Sequence, residues 1–153
     1  MKQTAQIFFI VFLLFGVSSL SAQKIEPINY YSLKQSKSMT ELVAQAMEEG
    51  KTPVLYFTAT WCGPCKHFNK TFSKGVMKRT LAEVMLIKVD VDTDAESFAQ
   101  KYGVRNVPTF LLVDEDLNET GKMIGFGDSD EAAAIALNLR GFINGVDPKT
   151  LIR

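Results

Sequence analysis

Apolar and polar positions recur along this chain with the periods of helices and strands. Ser38 and Glu41 match a capping box, and apolar residues follow at helical spacing until Gly50 ends the run. Three short runs rich in strand-forming residues predict buried strands, at residues 52–59, 84–91 and 109–114. The pattern is typical of a domain that contains both helices and strands.

The remaining elements follow from the same periodicities. Phe68 and Phe72 lie on one helical face, which predicts a helix after the two cysteines. Apolar spacing, acidic first turns and terminal glycines predict three further helices, at residues 76–81, 92–103 and 129–145. A turn at residues 118–121 predicts a hairpin that leads into a fourth strand, residues 122–126.

The order of these elements predicts the architecture. A strand–helix–strand unit implies parallel strands joined by a right-handed crossover, and the closing hairpin adds an antiparallel strand. We therefore expect a single α/β domain at residues 38–146, with a mixed sheet and helices on both faces. An arm or short strand at residues 23–37 is expected before it, and a tail at residues 147–153 after it.

The beginning of the chain has the layout of a secretory signal. Lys2 precedes an apolar run, Ile7–Val17, and small residues follow it. This layout predicts a signal peptide at residues 1–22, cleaved near Ala22, and export to the periplasm. A retained anchor is the alternative, although the run is shorter than the ~20 residues that a spanning helix needs.

Composition and charge limit the kinds of partner that this protein is expected to bind. The 153 residues are 46% hydrophobic, which suits a globular domain, and 17 basic residues balance 17 acidic ones. Balanced charge gives no electrostatic reason to expect nucleic acid or an anionic membrane as a partner.

Cys62 and Cys65 are the only cysteines, and three interpretations of the pair compete. A structural disulfide over so short a loop would contribute only about 2 kcal/mol. A structural zinc site usually needs four ligands, whereas the chain offers two thiols and His67, so a metal would have to be shared in a dimer.

A redox centre explains the surroundings of the two cysteines better. Cys62 is expected at the junction of a strand and a helix, where free N–H groups favour a thiolate. Pro64 suits the first helical turn, and Cys65 lies one turn on, within reach of a disulfide. We expect His67 to be an exposed surface residue rather than a group that tunes the sulfurs.

These residues resemble a known family. The sequence WCGPCK resembles the active site of thioredoxins, and VPTFLLVD is similar to their later strand that begins with a cis-proline. The similarity extends from about Ser38 to Gly145 and implies a thioredoxin fold. The run CKHFNKTFSKGVMKRTL looks closer to the periplasmic carboxy-terminal domain of the disulfide-interchange reductase DsbD.

The resemblance implies roles for the residues around the cysteines. Cys62 would be the nucleophile and Cys65 the resolving thiol, with no cofactor beyond their redox-active disulfide and no metal. Pro108 would be the cis-proline, and the backbone of Val107 would pair with an incoming peptide. The other expected substrate-binding residues are Trp61, which would cover one side, Gly63, Pro64, and Gly125, which would leave room on the other.

Two positions could affect proton transfer at Cys65. Tyr56 stands where the family has a buried aspartate, and Lys88 matches the family's buried lysine without its usual acidic partner. Because an ordinary phenol is a poor base at neutral pH, we hypothesise that a water or another carboxylate takes the proton. Alternatively, Tyr56 only fills the core, and Lys88 reaches solvent at the edge of the sheet.

These features together predict an exported thiol–disulfide oxidoreductase, and more narrowly a protein-disulfide reductase. Its partners would be proteins with disulfides and a membrane-bound or soluble thiol electron donor, and we expect a monomer that binds no nucleic acid. A disulfide oxidase or isomerase is the alternative enzyme. A non-catalytic module that binds a partner or metal is the alternative outside enzymes.

Overall fold

The computed structural model describes residues 28–30, 37–93 and 96–146. The expected signal peptide at residues 1–22 and tail at residues 147–153 lie outside these ranges, as does most of the expected arm. Within the ranges, no helix combines the length and the apolar character that crossing a bilayer requires.

The helices and strands follow the order that the sequence pattern predicts, with a short strand at residues 28–30 before them. The helices are α1 (Met39–Glu48), α2 (Gly63–Thr71), α3 (Gly75–Leu81), α4 (Glu96–Lys101) and α5 (Ala132–Ile143). The strands are β1 (Ile28–Tyr30), β2 (Thr52–Thr58), β3 (Val84–Asp90), β4 (Thr109–Val113) and β5 (Glu119–Ile124).

The strands form one mixed sheet in the order β1-β3-β2-β4-β5. Strands β1 and β2 are parallel to β3, whereas β4 is antiparallel to both β2 and β5. Side chains alternate between the two faces of each strand, so each face has its own apolar core. Helices α2, α3 and α5 cover one core, and α1 and α4 cover the other. The predicted fold class is confirmed.

Local signals position the first helix. The Ser38 side chain accepts a hydrogen bond from the backbone N–H of Glu41, and the Glu41 carboxylate accepts one from the N–H of Ser38. This capping box satisfies two free amides at the start of α1. Gly50 follows the helix with a φ of +66°, a conformation that glycine adopts without steric cost.

The hairpin of β4 and β5 differs from its prediction. Strand β5 begins at Glu119, so residues 118–121 are mostly strand rather than turn. The Asp114 carboxylate accepts hydrogen bonds from the backbone N–H groups of Asp116 and Asn118, which closes the turn earlier. Leu117 completes this turn with a φ of +60°. Helix α5 also begins later than expected, after Glu131, which makes no side-chain cap.

Candidate active site

Cys62 lies where strand β2 gives way to helix α2. Its backbone is extended, with a φ of −72° and a ψ of 108°, and it forms the N-cap of the helix. Its Sγ accepts a hydrogen bond from the backbone N–H of Cys65 at 3.1 Å. A free amide at the positive end of a helix therefore points at the sulfur, an arrangement that stabilises a thiolate.

Cys65 sits one turn into the helix and is joined to Cys62 by a disulfide. The S–S distance is 2.05 Å and the two Cα atoms are 5.3 Å apart. Pro64 between them occupies the first turn of α2, where its missing N–H leaves no helical bond unmade. Both sulfurs therefore belong to a single helical turn.

Burial alone does not separate the two cysteines. Cys62 is 3% exposed and Cys65 is 1% exposed, so neither sulfur is freely accessible in the disulfide form. Their positions differ, because Cys62 lies between exposed Trp61 and exposed Gly63, whereas Cys65 lies inside the helix. A partner that reaches this disulfide must therefore approach from the side of Cys62.

Five of the six predicted substrate-binding residues meet in one groove next to Cys62. The groove has a volume of about 520 Å³, and its lining includes the five predicted positions Gly63, Pro64, Val107, Pro108 and Gly125. The peptide bond between Val107 and Pro108 is cis, as the family resemblance implies. The backbone N–H of Gly125 donates to the Pro108 carbonyl at 2.8 Å, which extends the pairing of β4 with β5 into the groove.

Trp61 is the one predicted substrate-binding residue that does not line this groove. Its side chain is 67% exposed, and its indole Nε1–H donates to the Asp92 carboxylate at 3.2 Å. This hydrogen bond fixes the indole to the loop that follows β3. Trp61 therefore stands outside the groove lining, beside Cys62 in the chain.

The groove also contains residues that were not predicted to bind substrate. His67 is half-buried rather than exposed, so that expectation was wrong, and its Nε2 lies 2.7 Å from the carbonyl oxygen of Asp130. Because a carbonyl only accepts, Nε2 must carry the proton and donate it. Ile124 and Phe126 add apolar surface to the same groove. No sequence spacing signals a contact between residues 63 positions apart.

Tyr56 is fully buried beneath the disulfide. Its ring stacks on Phe110 with centroids 5.0 Å apart, and its single O–H has two acceptors within reach, the Cys65 carbonyl and the Asn69 side-chain oxygen, each at 3.4 Å. Burial raises the pKa of Tyr56 to about 12, so the phenol is neutral at physiological pH. Tyr56 therefore fills core volume, and its protonated phenol leaves the Cys65 proton to a water or to another carboxylate.

Lys88 lies on the strand next to Tyr56 and does not lie at the edge of the sheet. Strand β3 is flanked by β1 and β2, and Lys88 pairs in register with Tyr56 on one side and Asn29 on the other. The interpretation that Lys88 reaches solvent at a sheet edge was therefore wrong. Registered residues of parallel strands share a face, so Lys88 lies on the cysteine side of the sheet and is half-buried.

A shared metal gains no support from the part of the chain that the structure describes. Within residues 37–93 and 98–146, no three side chains of His, Cys, Asp or Glu come close enough together to hold an ion. A metal bound by Cys62 and Cys65 would have to take its other ligands from elsewhere.

The chain is similar to one protein family and to several known proteins. The family model described as Thioredoxin matches residues 33–137. A Thioredoxin H-type from Oryza sativa subsp. indica is 36% identical over 88 residues, which cover 58% of this chain and 69% of that protein. Thioredoxin-1 of Drosophila melanogaster is 35% identical over 83 residues, covering 54% of this chain and 72% of that protein.

Similarity extends to a disulfide interchange protein and to a solved structure. The Thiol:disulfide interchange protein DsbD of Yersinia pestis is 32% identical over 111 residues, which cover 69% of this chain but only 18% of DsbD. The crystal structure of thioredoxin from Trypanosoma brucei brucei superposes with a TM-score of 0.54 at 27% identity. That match covers 83% of this chain and 96% of the other.

Proposed function

Because this chain belongs to the thioredoxin family and is a redox protein with a C-x-x-C site, we propose that it reduces disulfides of exported proteins. The observation that carries the proposal is the position of Cys62 at the start of α2, with the Cys65 amide directed at its sulfur at 3.1 Å. The reactive thiolate is stabilised there before any substrate binds.

The proposed reaction is a two-step exchange between thiols and disulfides. The Cys62 thiolate attacks one sulfur of the substrate disulfide, forms a mixed disulfide and releases the other substrate sulfur as a thiolate, which takes a proton from solvent. Cys65 then loses its proton and attacks the Cys62 sulfur, which releases the second substrate thiol. The substrate gains two electrons and two protons, and the protein is left with the Cys62–Cys65 disulfide.

The groove provides a place for the substrate chain. Within the described residues, the backbone N–H and carbonyl of Val107 take part in no hydrogen bond, and Val107 lines the groove. An extended substrate segment would pair with these groups as a short added strand. Pairing there would hold the substrate disulfide beside Cys62, where the attack takes place.

The proposed direction and compartment follow from the sequence. The Gly-Pro pair between the cysteines resembles that of reducing members of the family, and the apolar run at Ile7–Val17 suits a secretory leader. A reductase in an oxidising compartment must be re-reduced, so we propose a membrane-bound or soluble thiol donor that supplies two electrons per cycle. We propose that the mature protein acts as a monomer.

Reduction of insulin by the dithiol form tests this function. We expect the reduced protein to cleave insulin disulfides, and the Cys62→Ser/Cys65→Ser double variant to be inactive. Equilibration with glutathione then tests the direction. A reduction potential of about −270 mV supports a reductase, whereas a value of about −120 mV contradicts it and favours an oxidase.

A further inference from the structure

Acidic residues are absent from a long stretch of the chain that includes the active site. Between Glu49 and Glu83 there is no Asp or Glu. The same stretch contains six basic residues, which are Lys51, Lys66, Lys70, Lys74, Lys78 and Arg79. Since the whole chain has 17 residues of each sign, charge is distributed unevenly along it.

Three of these lysines extend away from the cysteines. Lys66 and Lys70 are exposed and four residues apart, so they share one face of α2. The backbone N–H of Lys66 donates to the Cys62 carbonyl, which puts Lys66 one turn from Cys62 and Lys70 two turns away, about 6 and about 12 Å along the axis. Exposed Lys74 follows the end of the helix. We name these three residues the lysine row.

The lysine row has no counter-charge among the residues that the structure describes. The ion pairs between described residues are Lys51 with Glu49 and Lys122 with Glu119. No carboxylate of the described residues lies within ion-pair distance of Lys66, Lys70 or Lys74. Their charges are therefore directed at solvent and available to a partner.

Helix stability accounts for only one residue of the lysine row, because Lys70 lies in the last turn of α2. A cation near the start of a helix opposes the helix dipole, whereas one near the end is favourable. Lys66 is the fourth residue of α2 and Lys74 is the N-cap of α3, and neither helix has an acidic residue in its first turn. Support of the Cys62 thiolate would account for Lys66, but Lys74 lies at the start of another helix.

We propose that the lysine row is a docking surface for an acidic segment of the protein that exchanges disulfides with Cys62. This inference rests on the proposed function. An extended chain covers the 12 Å to Lys70 with about four residues, so the acidic side chains would lie about three to five residues from the partner's reactive cysteine. Opposite charges raise the rate of encounter, and salt weakens the effect.

Acidic residues at the groove indicate how an acidic partner segment would be oriented. Asp128, Asp130 and Glu131 are exposed in the loop between β5 and α5, and Asp130 lines the groove together with Gly63 and Pro64. An acidic segment is repelled by this loop and attracted by the lysine row. The partner is therefore expected to bind with its acidic segment along α2.

Three synthetic disulfide peptides test the proposal. They share one disulfide loop and differ at the residues three to five positions from each cysteine, which are all Glu, all Lys or all Ser. At low salt the reduced protein should cleave the Glu peptide with a kcat/KM about tenfold above that of the Ser peptide, and the Lys peptide should be the poorest. The preference should vanish at about 1 M salt, where the Debye length is about 3 Å.

A matched pair of variants locates the effect. Lys70→Gln/Lys74→Gln should lose most of the preference for the Glu peptide and keep the rate on the Ser peptide, because both residues lie away from the sulfurs. Lys37→Gln/Lys51→Gln removes the same charge beside α1, on the other face of the sheet, and should keep the preference.

The outcomes separate this inference from the proposed function. Equal cleavage of the three peptides at low salt would overturn the docking surface and leave the reductase standing. Failure to cleave any of them would overturn both. Binding to anionic phospholipid vesicles that is lost in Lys70→Gln/Lys74→Gln, without a preference among peptides, would overturn it in favour of a lipid surface.

Discussion

Tyr56 stands where the thioredoxin family carries a buried aspartate, and this difference changes how Cys65 can lose its proton. A buried carboxylate can accept a proton, whereas a phenol with a pKa near 12 is already protonated at neutral pH. The Tyr56 hydroxyl is instead a donor, with the Cys65 carbonyl and the Asn69 side-chain oxygen as its acceptors. We therefore expect the proton to leave through a water or through a carboxylate elsewhere.

Replacing Tyr56 tests this difference directly. Tyr56→Asp should speed disulfide exchange near neutral pH, because it supplies a base beneath Cys65, at a cost of about 3 kcal/mol in stability from the lost ring. Tyr56→Phe keeps the ring and should leave the rate unchanged. The measurement is the rate of disulfide reduction from pH 5 to 9, and an unchanged pH profile in Tyr56→Asp would contradict the expectation.

The same tyrosine should affect stability at alkaline pH. Burial raises the pKa of Tyr56 from 10.0 to about 12, so the unfolded chain releases this proton first as the pH rises. The contribution to the free energy of unfolding is therefore complete below pH 10 and is lost between about pH 10 and 12. The free energy of unfolding of the wild type, measured with denaturant, should fall more steeply over that range than the free energy of unfolding of Tyr56→Phe. Parallel curves for the two proteins would rule this out.

Among the secondary-structure elements, the loop from β5 to α5 forms the wall of the groove that faces α2. The Asn138 side chain, from within α5, donates to the Phe126 carbonyl at 2.9 Å, and His67 donates to the Asp130 carbonyl. Both hydrogen bonds tie the loop to helices. The groove therefore keeps its shape without a bound substrate.

Two glycines allow the role of this wall to be measured. Gly125 and Gly145 have φ angles of +71° and +76°, and a Cβ at either would meet no atom within 4 Å. Alanine at either position should thus cost a similar amount of stability, about 1 kcal/mol. Only Gly125 lines the groove, so Gly125→Ala should also raise KM for a protein disulfide by about tenfold, equivalent to about 1.4 kcal/mol. Equal KM values in Gly125→Ala and Gly145→Ala would show that the groove does not bind substrate.

Local sequence signals were sufficient for most elements but not for the whole site. The capping box at Ser38 and the C-x-x-C at the start of α2 are patterns within a few residues, so they could be predicted. The turn before β5 could not, because Leu117 adopts a positive φ that its residue type does not signal. The contact of His67 with Asp130 depends on the tertiary fold, which no local pattern encodes.

For the molecule as a whole, the sheet with an apolar core on each face stabilises the fold without help from the disulfide. The disulfide can therefore take part in a reaction. Both cores are built from apolar side chains, and a crosslink over three residues adds little to them. Reduction of the pair should therefore leave the fold intact, as a catalytic cycle requires.

Export is a property of the whole chain and can be tested on it. Expressed in a bacterium with a periplasm, the chain should be recovered from that compartment, with a mass that corresponds to cleavage after Ala22 or Ser21. A replacement of the apolar run at Ile7–Val17 by a polar sequence should retain it in the cytoplasm. Full-length protein in the membrane fraction would instead indicate a retained anchor.

Trapping of the mixed disulfide tests most directly that Cys62 attacks and Cys65 resolves. Reduced Cys65→Ser should form a stable covalent adduct with a disulfide peptide, and peptide mapping should place the new bond at Cys62. Reduced Cys62→Ser should form little adduct, because Cys65 lies one turn inside the helix and a partner approaches from the side of position 62. An adduct that forms mainly at Cys65, or disulfide reduction that persists in Cys62→Ser, would contradict this assignment.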